Sequence, residues 1–179
     1  MNKTQIRKKI LDIRKKNEKK KLQINFQDIF RTLQKSKFVG KIVGGYYPYN
    51  YEVDTTKILK QFEKKKYLIS LPKIKKNSQM EFFQWSSKEP LSINKHGIPE
   101  PISGKIIYPD ILLVPVVAFD KNFNRIGYGG GFYDRYIKRI KKNKNIITIG
   151  LAYSFQEVEK IQINKNDMKL NFIVTNKKD

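Results

Sequence analysis

The chain has 179 residues, with 38 Lys and Arg against 16 Asp and Glu, for a formal charge of +22. It has no cysteine and a single histidine, His96, which excludes a disulfide framework, thiol catalysis, Cys-ligated zinc, iron–sulfur clusters and multi-His metal sites. The length suits one domain with a core of its own, expected over residues 1–179.

Ile6, Ile10, Leu11 and Ile13 form an apolar stripe that predicts an amphipathic helix over Thr4–Lys20. Asn25 offers an N-cap, with Asp28 in the first turn, to a second helix using Phe26, Ile29, Phe30 and Leu33. Lys41–Tyr47 reads as a strand closed by Pro48. Asp54 is placed to cap a helix whose core face is Ile58, Leu59 and Phe62, and Tyr67–Leu71 reads as a short strand stopped by Pro72. Prolines punctuate 73–110, where Met80–Trp85 is the one candidate strand. Asp110–Phe119 is apolar throughout its middle, as in a parallel strand buried on both faces. A loop to Gly131 then leads into a helix over Phe132–Lys142, and Ile146–Tyr153 and Phe172–Thr175 supply further strands. Strands alternating with helices predict an α/β three-layer sandwich: a mostly parallel central sheet with helices on both faces. In such sheets ligands bind beyond the carboxyl ends of the strands.

The longest apolar run, Ile111–Phe119, contains Pro115 and is far short of the ~20 residues that span a bilayer. The N-terminus runs into a basic helical pattern, not an apolar leader, so a cytoplasmic protein without membrane association is expected. The charge invites a nucleic-acid role, because cations that neutralise phosphates release counterions. The lysines are scattered, however, and runs such as Arg14-Lys15-Lys16, Lys64-Lys65-Lys66 and Lys141-Lys142 fall on or beside predicted helices, where solvated charge is ordinary. No specific nucleic-acid partner is expected, although a basic field also concentrates small polyanions in a cleft.

The most informative segment is Asp120-Lys121-Asn122-Phe123-Asn124-Arg125-Ile126-Gly127-Tyr128-Gly129-Gly130-Gly131-Phe132-Tyr133-Asp134, between the most apolar strand and a helix. Its glycines free the backbone to take positive φ and to approach a ligand closely. Successive N–H groups form an anion nest, and the following helix adds its own unpaired donors. It is neither a Walker A loop nor the dinucleotide fingerprint, since no Gly-Lys-Ser/Thr follows and Phe132 stands where a third glycine is needed. The plainer alternative is a connecting turn. Asp134 could serve only the helix dipole, but a carboxylate facing a bound polyphosphate calls for a bridging cation such as Mg²⁺.

Pro115-Val116-Val117-Ala118-Phe119-Asp120 followed by Asn124–Arg135 resembles the signature of the 5-formyltetrahydrofolate cyclo-ligase family. Lys3 through Arg7, Tyr47-Pro48 with Glu52-Val53-Asp54-Thr55, Leu71-Pro72-Lys73, Met80 with Phe82 and Trp85, Gly97–Pro101 and Asn166-Asp167-Met168 are similar to family segments in the same order. The chain departs from the pattern at Phe123, where a turn glycine is usual and an Asn at positive φ is expected to take over. It departs again at Asn171 and Asn176, where acidic residues are usual.

The resemblance implies conversion of 5-formyltetrahydrofolate and ATP to 5,10-methenyltetrahydrofolate, ADP and phosphate with Mg²⁺, through a phosphorylated formyl oxygen. Such a route asks for positioning and charge neutralisation rather than a side-chain nucleophile. It implies an ATP site at Lys3, Thr4, Gln5, Ile6, Arg7, Arg125, Ile126, Gly127, Tyr128, Gly129, Gly130, Gly131, Phe132 and Tyr133. It further implies folate contacts at Tyr47, Glu52, Trp85 and Tyr133, and metal ligands at Asp134 and Asp167. Each has a plainer alternative: an exposed basic helix face for Lys3 and Arg7, a loop or cap residue for Asp167, a solvated acid for Glu52, core packing for Trp85 and Tyr133. Partners are then ATP and a formylated, optionally polyglutamylated, tetrahydrofolate, with the chain a monomer or homodimer. His96 reads as a loop residue. The rivals are an RNA- or DNA-binding module, which predicts exposed aromatics interleaved with cations, and a small kinase acting on a hydroxyl group.

Overall fold

The computed structural model describes residues 1–20, 22–75 and 79–176, so residues 21, 76–78 and 177–179 of the expected domain lie outside the description. Helix α1 (Lys3–Lys16) is followed by α2 (Phe26–Lys35), strand β1 (Ile42–Gly44), α3 (Thr56–Lys64), β2 (Leu68–Ile74) and β3 (Met80–Trp85). Then come a small hairpin of β4 (Leu91–Ile93) and β5 (Pro99–Pro101), the central strand β6 (Ile111–Pro115), and a second hairpin of β7 (Ala118–Phe119) and β8 (Arg125–Ile126). Helix α4 (Phe132–Ile140), β9 (Ile147–Ala152) and β10 (Phe172–Thr175) complete the chain.

The main sheet has the order β10-β9-β6-β1-β2-β3. All its neighbours are parallel except β2 and β3. Period-two alternation along β6 sends Ile111 and Leu113 to one face, against α2 and α3, and Leu112 and Val114 to the other, against α4. Each such side chain, fully withdrawn from water, contributes roughly 1.5–3 kcal/mol. The three expected layers are therefore present. Helix α1 stands apart from them, packing Ile6 and Ile10 on Val117, Ala118 and Ile126 of the β7–β8 hairpin.

Several elements differ from expectation, each for a local reason. Helix α1 ends at Lys16, not Lys20, because the Asn17 side chain donates to the Ile13 carbonyl at 2.8 Å and its backbone caps the last turn. Strand β1 stops at Gly44, and the Tyr46 carbonyl is taken by the Thr55 hydroxyl instead of a neighbouring strand. Asp54 does not occupy the N-cap position, which falls on Thr55, yet its Oδ1 accepts from the Thr56 N–H at 2.9 Å. Strand β2 runs on through Pro72 to Ile74, since beyond Ser70 it pairs with β3 alone and Pro72 removes no bond toward β1.

The expected strand Asp110–Phe119 is broken after Pro115. There the Val116 and Val117 carbonyls leave the ladder and accept from Gln156 Nε2 at 2.6 and 2.8 Å. The glycine loop consequently follows the short hairpin strand β8 and not the buried central strand. In the β7–β8 turn it is Phe123 itself, not an Asn, that takes positive φ, at 63°. The Asp120 carboxylate organises that turn, accepting from the Asn122 and Asn124 N–H groups, while the Phe123 ring is held by the core beside α4. Asn171 and Asn176 supply neutral acceptors to the Thr148 and Ser154 N–H groups at 2.9 and 2.8 Å, a role an acid would also fill.

Candidate active site

Strand β1 leads through α3 to β2 on one side of the sheet, while β6 leads through α4 to β9 on the other. The chain thus reverses its direction of travel between β1 and β6, and a crevice opens beyond their carboxyl ends. A cleft of about 520 Å³ lies there, lined by Tyr46, Tyr47 and Glu52 after β1, Pro115 at the end of β6, and the whole glycine loop.

One half of the cleft is cationic and poor in side chains. At 100° per residue, Lys3, Arg7 and Arg14 share a face of α1. Lys3 pairs with Asp167, and Arg7 Nε donates to the Gly127 carbonyl at 2.8 Å. Gly129 and Gly131 have φ of +105° and +65°, and a Cβ on Gly131 would meet Arg135 at 2.8 Å. Gly127 differs: its φ is ordinary and a Cβ there meets nothing within 4 Å. The chain's own packing does not require glycine at that position, so its effect is to keep the cleft wall low. Gly131 caps α4 without a side-chain bond, leaving the first N–H groups of the helix directed at the loop.

Arg125, buried on β8, donates to the Met168 carbonyl at 2.6 Å and pairs with Asp134 Oδ1 at 3.0 Å. Burial pulls the Arg125 guanidinium down from its ordinary value, and the Asp134 charge opposes that. Burial works to raise Asp167, but hydrogen bonds from Lys3 and the Asn164 N–H, with the charges of Lys3 and Arg125, outweigh it and hold the carboxyl low. Among the described residues no group of three or more His, Asp or Glu gathers as a self-contained metal site.

The other half has a buried acidic floor. Glu52 accepts from the Tyr49 N–H at 2.9 Å, and burial pushes its carboxyl up to about 7 against that bond and the nearby Arg14 charge. The hydroxyls of Tyr46 and Tyr133 are buried beside it without a hydrogen-bond partner among the described residues. A cleft floor with a carboxylate and two unused hydroxyls is suited to a ligand rich in N–H donors and acceptors.

Of the residues expected at the site, Lys3, Arg7, Tyr47, Glu52, Asp134, Asp167 and the stretch Arg125–Tyr133 all line this cleft. Others do not. Thr4 and Gln5 are exposed, Gln5 closing a capping box with Asn2, and Ile6 is buried in the core beneath α1. Trp85 lies at the far end of the sheet: β3 runs antiparallel, so Trp85 sits opposite Ile69 while Met80, at the strand's start, reaches the cleft opposite Ile74. Its indole N–H donates to the Glu89 carbonyl at 3.1 Å and its ring packs toward the α2–α3 core.

Sequence reasoning missed the β4–β5 hairpin, whose Asn94, His96, Pro99 and Glu100 also line the cleft. It also read Arg14 as solvated charge, whereas the side chain is buried, with 2% of its surface exposed.

The topology and the cleft define an α/β enzyme whose candidate site lies at the carboxyl ends of parallel strands. The model of the 5-formyltetrahydrofolate cyclo-ligase family matches residues 1–176. The 5-formyltetrahydrofolate cyclo-ligase of Haemophilus influenzae is 35% identical over 138 residues, 73% of each chain. That of Escherichia coli is 31% identical over 131 residues, 69% of this chain and 71% of its own. The structure of Aquifex aeolicus 5,10-methenyltetrahydrofolate synthetase superposes with a TM-score of 0.80 at 30% identity, covering 99% of this chain and 91% of that one. A 5,10-methenyltetrahydrofolate synthetase of Mycoplasma pneumoniae, 23% identical, shares the fold with a TM-score of 0.72 over 99% of this chain and all of its own. The chain belongs to the 5-formyltetrahydrofolate cyclo-ligase family and is an enzyme, a ligase of folate one-carbon metabolism. Among the described residues no helix is long and apolar enough to cross a membrane.

Proposed function

We propose that the chain closes 5-formyltetrahydrofolate to 5,10-methenyltetrahydrofolate with ATP as co-substrate. The observation that carries this reading is the joining, in one cleft, of a glycine-walled cationic half to a half floored by Glu52 and the Tyr46 and Tyr133 hydroxyls. Lys3, Arg7, Arg125 and the N–H groups of the loop and of α4 would hold the phosphates. Tyr47, Glu52 and Tyr133 would orient the pterin, Glu52 accepting from its N–H edge.

The chemical difficulty is that an amide oxygen is a poor leaving group. In the proposed route the formyl oxygen attacks the γ-phosphorus and ADP leaves. Nitrogen 10 then attacks the activated carbon and gives up its proton, and the carbon–oxygen bond breaks to release phosphate. The protein's part is alignment of the formyl oxygen with the phosphorus and compensation of charge on the phosphoryl oxygens.

Asp134 and Asp167 offer a donor set that fits Mg²⁺: two hard carboxylates close to Arg125, whose bonds among the described residues fall on Oδ1 of Asp134 and Oδ2 of Asp167. The ion, held by these two and by phosphate oxygens, would neutralise charge on the phosphates. The deciding experiment follows the absorbance of methenyl-folate from the formylated substrate with and without ATP. Product without ATP, or ATP consumption without product, would refute the reading.

A further inference from the structure

Arg14 lies outside the lining of the cleft, yet its guanidinium reaches three of the segments that build it. Nη1 donates to the Tyr128 hydroxyl of the glycine loop at 3.0 Å and, at 3.4 Å, to the Asn50 carbonyl in the loop that carries Glu52. Nη2 donates to the Val116 carbonyl between β6 and β7 at 2.6 Å, and Nε is buried without a partner among the described residues. None of these acceptors is charged. A buried guanidinium bonded only to neutral oxygens is costly unless an opposite charge stands near. Glu52 is that charge.

The other titratable groups that face Glu52 from the surrounding elements are Tyr46 after β1, Tyr128 in the glycine loop, Tyr133 on α4 and Tyr153 after β9, each of which feels the Glu52 charge. Ionised phenols would only add repulsion, so among the described residues Arg14 is the cation that favours an ionised Glu52. We propose that Arg14 is a positioning residue for the folate half of the cleft, fixing the Glu52 loop and the glycine loop to each other from below and supplying the positive charge against which Glu52 holds its negative one. The inference rests on the reading of Glu52 as acceptor for the pterin edge.

In that role Arg14 governs the pH at which the free enzyme becomes competent to bind folate. Its charge and its planar fork do separable work, since Lys supplies the first without the second. The test measures kcat/KM for the formylated folate from about pH 5.5 to about pH 8.5 in the full-length wild type, Arg14→Gln and Arg14→Lys, with melting curves for each. Arg14→Gln is expected to move the acidic limb of the profile upward by about half a pH unit or more. Arg14→Lys is expected to leave the limb in place while kcat/KM falls about tenfold, because the bonds to Tyr128 and Asn50 are lost. A folded Arg14→Gln with an unmoved limb overturns the proposal. So does Arg14→Lys with a displaced limb or a wild-type rate, and this arm decides the matter should Arg14→Gln fail to fold. Failure of the wild type to turn over the folate would instead sink the underlying reading.

Discussion

Arg125 Nη2 lies 3.0 Å from Asp134 Oδ1, and the pair ties β8 to the first turn of α4 across the two ends of the glycine loop. The Arg125 side chain is 5% exposed and that of Asp134 27%. The acid therefore has two duties: it compensates a buried cation, and it faces the space assigned to the phosphates and their metal.

Substitutions at Asp134 separate those duties. Removing one member of a buried pair costs about 3–5 kcal/mol, and the partial exposure of Asp134 brings this to about 2 kcal/mol for Asp134→Ala. Asp134→Asn keeps an acceptor for Arg125 and for the Met168 N–H, which lies 2.9 Å from Oδ1. It is expected to stay within about 1 kcal/mol of the wild type in denaturant melts while Mg²⁺-dependent turnover falls about a hundredfold. Turnover at the normal rate, with the usual Mg²⁺ titration, would remove Asp134 from the metal site.

The glycine loop allows a cleaner contrast between folding and binding. A Cβ at Gly127 meets open space, so Gly127→Ala is expected to melt within about 0.5 kcal/mol of the wild type yet bind ATP about tenfold more weakly. At Gly129 the φ of +105° is itself hostile to a side chain, so Gly129→Ala should lose stability by about 1–2 kcal/mol as well as affinity. Calorimetric titration of the nucleotide beside thermal melts checks both. Unchanged affinity in a folded Gly127→Ala would show that no phosphate approaches this wall.

How much of this was readable in advance varied with whether the signal was local. The unbroken apolar run of Ile111–Val114 marked the central strand, and the glycine cluster marked the loop, because each feature is complete within a few residues. Arg14 looked like its neighbours Lys15 and Lys16. Only its place at helical spacing on the face of Lys3 and Arg7 hinted otherwise, and its burial depends on α1 packing against the β7–β8 hairpin. That hairpin was hidden in turn, since nothing in the run through Pro115 to Phe119 shows that side chains take over the Val116 and Val117 carbonyls. The direction of β3, which decides where Trp85 lies, is a property of pairing and not of the residues themselves.

Glu52 makes stability depend on pH in a definite sense. Burial raises its carboxyl from the ordinary glutamate range to about 7 in the folded chain, so the folded state binds this proton more tightly than the unfolded state. The resulting stabilisation is complete below about pH 4.5 and is lost as the pH rises through about 7. Glu52→Gln removes this dependence. The stability difference between Glu52→Gln and the wild type should therefore move in favour of the variant by up to about 3 kcal/mol across that window, and then level off. On the proposed role of Glu52 the same variant is also expected to bind the folate more weakly, since an amide presents a single acceptor oxygen where the carboxylate presents two. Denaturant melts of both proteins at several pH values give the slope directly; a constant difference would mean that Glu52 is not burdened by burial.

Trp85 offers the last contrast, because the family resemblance and the fold lead to opposite expectations for it. A folate contact at this position predicts that Trp85→Phe raises KM for the formylated substrate. The fold puts the ring beside Ile69, at the amino end of β2, with its N–H on the Glu89 carbonyl and its body against the α2–α3 core. Trp85→Phe should then lose one hydrogen bond and some packing, about 1–2 kcal/mol in a melt, while kcat and KM for the folate stay within about twofold of the wild type. An increase of about tenfold in KM without a stability change would return Trp85 to the ligand and require β3 to be paired differently.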